Sequence, residues 1–328
     1  MTRKVRLSLT SLVTVLLILL SSAPQVNAAN VSGNGLRISP VRTDITVSPG
    51  QSQTVTLTLT NVTNGTAVEQ AVVNDFVANA DESGNPVLVL STTALTAGHS
   101  LKQFVEPIPD VTLAPNQQVN VPITISVPKG AAGGGYYGVV RFAPAVNTSS
   151  PGQNVSLAGS VGSLILLKVP GNIIEKLSIA SFDVRQKGTP SSFFTNSSNL
   201  TVTTRFQNEG NLQEEPFGKI LLKHSGKILA TYELNNVQPP GSVLPDSIRR
   251  FDMPLTHVNS IGSYTLEGNF GYGSSGQLLS ASTTFYIIPL WLIILFIIFF
   301  LLLAFCVFVL PRLVRAYNRR VISKARRR

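Results

Sequence analysis

Between Ile287 and Leu310 the chain holds no charged residue and no Asn, Gln, Ser or Thr. A helix rises about 1.5 Å per residue, so about 20 apolar residues cross a hydrocarbon core of about 30 Å. The run is long enough to cross with some tilt. Pro289 falls in its first turn, where a missing N–H costs least. Trp291 lies near one end, where an amphipathic ring suits the headgroup region. Pro311 closes the run. Arg312, Arg315, Arg319, Arg320, Lys324, Arg326, Arg327 and Arg328 follow with no acid among them. Basic residues beside a span stay on the cytoplasmic side. The expectation is a transmembrane helix over 287–310, a basic cytoplasmic tail over 311–328, and everything earlier outside the cell. A buried core helix of this length would carry a polar stripe, which this run lacks.

The formal net charge of +10 suggests a nucleic-acid binder only until it is mapped. Arg3, Lys4 and Arg6 and the eight tail residues carry the excess. The region between holds all sixteen acids against fifteen Lys and Arg, a net charge of −1. The basic excess therefore belongs to topology signals and excludes a nucleic-acid role. At the other end, a charged start precedes the apolar stretch Leu7 to Leu20, and Val26-Asn27-Ala28 offers a cleavage site. This is a secretory signal peptide over 1–28, cut after Ala28. Cys306 is the single cysteine and lies in the span, so the exported part relies on its cores rather than on disulfides. Export without cysteine fits a bacterium.

Residues 29–170 read as one β-domain. Val55, Leu57 and Leu59 alternate with Thr56, Thr58 and Thr60, the pattern of a strand buried on one face. Pro49-Gly50-Gln51 precedes that strand, and Ala114-Pro115-Asn116-Gln117 precedes a second one with Val119, Val121, Ile123, Ile125 and Val127. Two like turns feeding two like strands predict neighbours in one sheet, with Pro122 favouring an edge or a bulge. Further strands are expected over 68–77, 86–90, 136–142 and 157–169, with a loop over 144–156. Tyr136, Val140 and Phe142 are expected on the core face. Tyr136 is a candidate for a tyrosine corner, its hydroxyl bonding back to the chain. Tyr137 and Arg141 then stand on the opposite, outward face and form the candidate binding face.

Residues 171–286 read as a second β-domain. Leu200, Val202, Thr204 and Phe206 alternate into the turn Asn208-Glu209-Gly210-Asn211. Phe217–Lys223 and Ile228–Leu234 flank a hairpin turn. Gly262-Ser263-Tyr264 parallels Gly134-Gly135-Tyr136 and opens another strand. Leu278 to Tyr286 runs almost directly into the span, so the domain has little or no stalk. The fold class is therefore all-β: two tandem immunoglobulin-like antiparallel β-sandwiches followed by one transmembrane helix.

Chemistry is sparse in this chain. His99, His224 and His257 are far apart, without a second metal-ligand type at metal-site spacing. There is no nucleophile elbow, phosphate loop or zinc-protease motif. The glycine run Gly130 to Gly138 feeds a strand, not a helix. Asp75 with Asp81-Glu82, or Glu209 with Glu214-Glu215, could serve as calcium or carboxylate sites, but solvated acidic turns explain them more simply. No cofactor is implied, and the expectation is a non-enzyme.

The assembled motifs of the first domain resemble the N-terminal domain of WxL-interacting proteins of the bacterial surface. The residues that carry this are Ile38-Ser39-Pro40, Pro49-Gly50-Gln51 before a Thr-rich strand, Asp75-Phe76 with Gly84, and Pro128 followed by Gly135-Tyr136-Tyr137-Gly138. The layout of signal peptide, two β-domains, span and basic tail is also similar. The resemblance implies peptidoglycan binding by the first domain and host or surface-protein partners for the second. The Asn208-Glu209-Gly210-Asn211 turn departs from that pattern and looks like a generic adhesion-type sandwich. The reading is a single-pass cell-membrane protein that binds wall polymer or a surface protein without catalysis. The rival reading is an accessory subunit of a membrane assembly.

Overall fold

The computed structural model describes residues 35–91, 95, 98–144, 159–259, 261–315 and 317. The expected signal peptide with Ala28, the loop over 145–156, and Arg319, Arg320 and the rest of the tail lie outside the described residues.

The first sandwich contains β1 (Leu36–Ser39), β2 (Arg42–Thr46), β3 (Ser52–Asn61), β4 (Ala67–Ala78), β5 (Pro86–Val89), β6 (Val111–Leu113), β7 (Gln118–Ser126), β8 (Gly134–Pro144) and β9 (Val161–Val169). One sheet runs β1-β3-β7, and the other runs β2-β9-β8-β4-β5 with β6 also on β4. The two strands with like turns are indeed neighbours: Val55 faces Ile123 and Leu57 faces Val121. Pro122 sits on β7, the edge of its sheet, where its missing N–H is tolerated. Leu57, Leu59, Ile123 and Ile125 pack with Val140, Phe142, Ile165 and Leu167, all fully buried. Each such side chain contributes roughly 1.5–3 kcal/mol. The pairing is not wholly antiparallel. The opening strand breaks at Pro40, β1 joins one sheet and β2 joins the other, lying parallel to β9.

The second sandwich contains β10 (Leu177–Gln186), β11 (Thr189–Pro190), β12 (Phe193–Phe194), β13 (Leu200–Asn208), β14 (Phe217–His224), β15 (Lys227–Leu234), β16 (Ser247–Pro254), β17 (Gly262–Tyr272) and β18 (Gln277–Ile287). Its sheets run β11-β10-β13-β16 and β12-β18-β17-β14-β15. Val202, Phe206, Ile220, Leu222, Leu266, Phe270 and Phe285 form its core. The expected hairpin is β14–β15.

The two sandwiches close their strand ends in the same way. Asn61 and Asn208 are both fully buried. Asn61 Oδ1 accepts from the Thr63 N–H, and its Nδ2 donates to the carbonyls of Gly65 and Ala114. Asn208 Oδ1 accepts from the Gly210 N–H, and its Nδ2 donates to those of Leu212 and Val243. A side chain two residues before its donor mimics a turn in the backbone.

One helix, α1 (Leu290–Ala304), continues through a π-helical turn at Phe305–Val309. The whole element, Leu290–Arg315, is long and apolar enough to cross a membrane and is not covered by protein. The span was expected to begin at Ile287. Ile287 instead ends β18 and is buried in the second core. A buried strand end and a span start are equally apolar, so the run alone cannot separate them. The break is Pro289, which precedes the helix with φ −59° and ψ 143°.

Candidate functional site

Several contacts join the two sandwiches, among them the packing of Tyr137 on Gln213 and Leu244 and three polar contacts. The first polar contact joins the glycine run to the Asn208–Asn211 turn. The Gly135 N–H donates to the Asn211 carbonyl at 2.8 Å. Asn211 Nδ2 returns a bond to the Gly133 carbonyl at 3.1 Å. Gly135 is required here, because a Cβ would overlap the Tyr137 hydroxyl and crowd Gln213. The second contact docks the acidic turn on the other sandwich. Glu82 pairs with Arg205 through both guanidinium arms, one at 2.6 Å, and its carbonyl accepts from the Arg250 N–H. The hydrogen bonds from Arg205 hold the Glu82 carboxyl below its usual range. Gly84, at φ +81°, leaves room for the Arg249 guanidinium. The third contact is Arg42, which bridges Asp44 and Glu215 at 2.8 and 2.7 Å and reaches the Pro240 carbonyl. Burial alone would lower the Arg42 pKa, but the hydrogen bonds to Asp44 and Glu215 outweigh it and raise it.

Beside the third contact opens a cleft of about 1390 Å³. One wall is β2, with Asp44, Ile45 and Thr46. Among the described strands β2 pairs only with β9, so its other edge is open. The facing wall is the outer face of the second sandwich, where Phe217 and Leu278 are 60% and 82% exposed. Glu214 lies at the floor, 3% exposed, and its Oε1 has no hydrogen-bond partner among the described residues. Burial, then the charge of Glu175, pushes its carboxyl up to about 7, against a backbone hydrogen bond from Gly273 and the charge of Lys168. The cleft thus offers main-chain edge, apolar surface and one carboxyl that titrates near neutrality.

The candidate face on β8 requires correction. Tyr137 does not face outward; it is 2% exposed. Its hydroxyl donates to Gln213 Oε1 at 2.9 Å, and its ring packs with Phe76 and Leu166 beside Leu244. Burial pushes its pKa far up. Arg141 is partly buried and donates to Asn74 Oδ1 and Ser160 Oγ. The cause is position: β8 is an inner strand, and at Tyr137 its second face is covered by Phe76, Leu166 and the His99 ring and by Gln213 and Leu244 of the second sandwich. Tyr136 does what was expected of it, its hydroxyl donating to the Ala132 carbonyl at 2.9 Å.

The acidic groups weighed from the sequence do not converge. Asp75 pairs with Lys102, Glu82 with Arg205, Glu209 with Lys176 and Glu215 with Arg42. Among the described residues no three His, Cys, Asp or Glu side chains are grouped to hold a metal. His99 Nδ1 lies 2.7 Å from the Gly135 carbonyl, and the His224 ring stacks on Tyr264 at 4.5 Å. Trp291, Arg312 and Arg315 lie along the apolar helix, exposed.

No family model and no curated protein matches the chain. Among solved structures it is similar to a chaperone–tip adhesin complex of CFA/I fimbriae biogenesis, at 13% identity over 77% of this chain and 99% of that one, with a TM-score of 0.38. It is similar to the class 5 fimbriae chaperone CfaA at 14%, over 78% and 100%, with a TM-score of 0.37. A Porphyromonas gingivalis W83 protein of unknown function matches at 9%, over 77% and 100%, with a TM-score of 0.29. At such identity and overlap none of them bears on what this chain binds.

Proposed function

We propose that the chain is a single-pass membrane protein whose two sandwiches, outside the cell, hold an extended segment of a surface-protein partner in the cleft between them, without catalysis. The cleft carries this reading. It sets an open strand edge, β2, opposite an exposed apolar shelf, Phe217 and Leu278. An extended peptide adds to an open edge through main-chain bonds and places alternate side chains on such a shelf. The apolar helix anchors the molecule, and the eight basic residues beyond it set the tail inside. Membership of the WxL-interacting proteins is part of the proposal and rests on the motifs of the first domain; wall polymer is the alternative occupant.

Photo-crosslinking in intact cells tests it. A photoreactive residue at Phe217 or Leu278 should give an adduct with one peptide segment, and one at exposed Ile174, outside the cleft, should not. Adducts with glycan strands, or equal labelling at Ile174, would remove the peptide reading. A protease added to cells should digest the sandwiches and spare a tag placed after Arg328.

A further inference from the structure

The second sandwich is fastened to the apolar helix without a linker. Phe193 and Phe194 of β12 pair with Tyr286 and Ile287 of β18. The Ile288 N–H still donates to the Phe194 carbonyl at 2.8 Å. The helix begins at Leu290, and the Leu292 N–H bonds to the Pro289 carbonyl. Pro289 alone separates the last sheet-bonded residue from the helix. The end of the sandwich is therefore held near the start of the span, and its tilt against the bilayer is set by what else it touches.

That end is unusual in what it exposes. Gly262 faces Ile287 across β17 and β18, so Ile261 stands level with Ile288 and is 47% exposed. One step higher, the rings of Phe193 and Tyr286 stack at 5.1 Å with both residues open to solvent. The register places the β10–β11 turn and the β14–β15 turn at the same end. They carry exposed Lys187 and Lys227. Residues 186–199, 223–228, 254–259 and 261–262, which make this end, include no Asp or Glu. The interfacial layer of a bilayer is roughly 5–8 Å thick on each side. Aromatic rings and lysines are the side chains that suit that layer.

We infer that this end of the second sandwich is a lipid-docking surface: Ile261, Phe193 and Tyr286 enter the headgroup layer, and Lys187 and Lys227 meet anionic headgroups. The inference rests on the reading of the helix as a span. Docking would hold the sandwich upright and point the cleft away from the bilayer.

Trp291 is the chain's single tryptophan, which separates the two readings. The full chain is reconstituted in phosphatidylglycerol vesicles brominated near the top of their acyl chains. Wild-type Trp291 reports the span by quenching. In the Trp291→Phe background, Ile261→Trp and, separately, Phe193→Trp report the sandwich. Docking predicts blue-shifted, quenched emission from both, and a loss of that quenching on adding Lys187→Glu with Lys227→Glu. Red, unquenched emission from both variants while wild-type Trp291 is quenched overturns the docking and keeps the span. Unquenched wild-type Trp291 overturns both. Quenching indifferent to the lysine changes overturns the headgroup contact.

Discussion

Glu214 is the residue whose surroundings most affect the cleft. An unfolded glutamate loses its proton near 4.5, and the folded one does so at about 7. The folded state thus holds the proton more tightly between those values. The stability this contributes is complete below about 4.5 and is lost as pH rises through about 7. Above that, the charged carboxylate is carried at a cost. Glu214→Gln keeps the shape and removes the charge. Its melting temperature should exceed wild type by a few degrees at about pH 8, and its decline between about pH 4.5 and 7 should flatten. Equal pH profiles for the two proteins would show that Glu214 is solvated. The buried asparagines differ in kind, because they satisfy main-chain groups rather than carry charge. Asn208→Ala strips the side-chain partner of the Gly210 N–H and of the Leu212 carbonyl, and one of the two donors to the Val243 carbonyl, which keeps the Glu214 N–H. Chemical denaturation should show a loss of at least about 1–3 kcal/mol. Asn208→Asp should recover only part of it, since Asp keeps the acceptor and loses the donors.

At the scale of the element, β8 shows what alternation can and cannot reveal. Tyr137→Ala should cost about 3–5 kcal/mol, as for other buried aromatics, whereas an exposed tyrosine would cost under about 0.5 kcal/mol. Tyr137→Phe isolates the bond to Gln213 and should cost about 1 kcal/mol. A Tyr137→Ala variant that melts like wild type would return the side chain to the surface. Most strands were legible because they bury one face: Val55, Leu57 and Leu59 stand among threonines. The β3–β7 pairing was legible from two like turns. For β8 the choice of one core face failed, because Tyr137, Val139 and Val140 leave no polar face to contrast. A near-continuous apolar run is the mark of a strand covered twice. The cleft had no such local mark. Strand pairing inside the second sandwich sets Phe217 level with Leu278, and only the contacts between sandwiches bring Asp44, far away in sequence, to face them. The glycine run and the Asn208–Asn211 turn were both visible in sequence, but nothing local said that they bind each other.

At the scale of the whole molecule, those contacts decide whether the cleft exists. The strand register puts the Asn208–Asn211 turn at the end of the second sandwich opposite the helix. The cleft is thus carried at the far end from the apolar helix. Interfaces between domains of one chain are often loose enough to permit relative motion. Here the half-buried Glu82–Arg205 pair and the Asn211 bonds oppose it. The charge-assisted Glu82–Arg205 bonds contribute about 1.5–3 kcal/mol, and each neutral Asn211 bond about 0.5–1.5 kcal/mol. The two sites draw on different strands and loops, so their effects should roughly add. Glu82→Gln with Asn211→Ala should therefore leave both cores intact while uncoupling them. Calorimetry of the detergent-solubilised chain should change from one unfolding transition to two. Crosslinking from Phe217 should fall, because β2 no longer faces the shelf at a fixed distance. A single unchanged transition would mean that the remaining contacts, the Arg42 bridge and the packing of Phe76, Tyr137 and Leu166 with Leu244, hold the sandwiches together. Arg42→Ala and Tyr137→Ala added to the double variant would then be the changes that separate them.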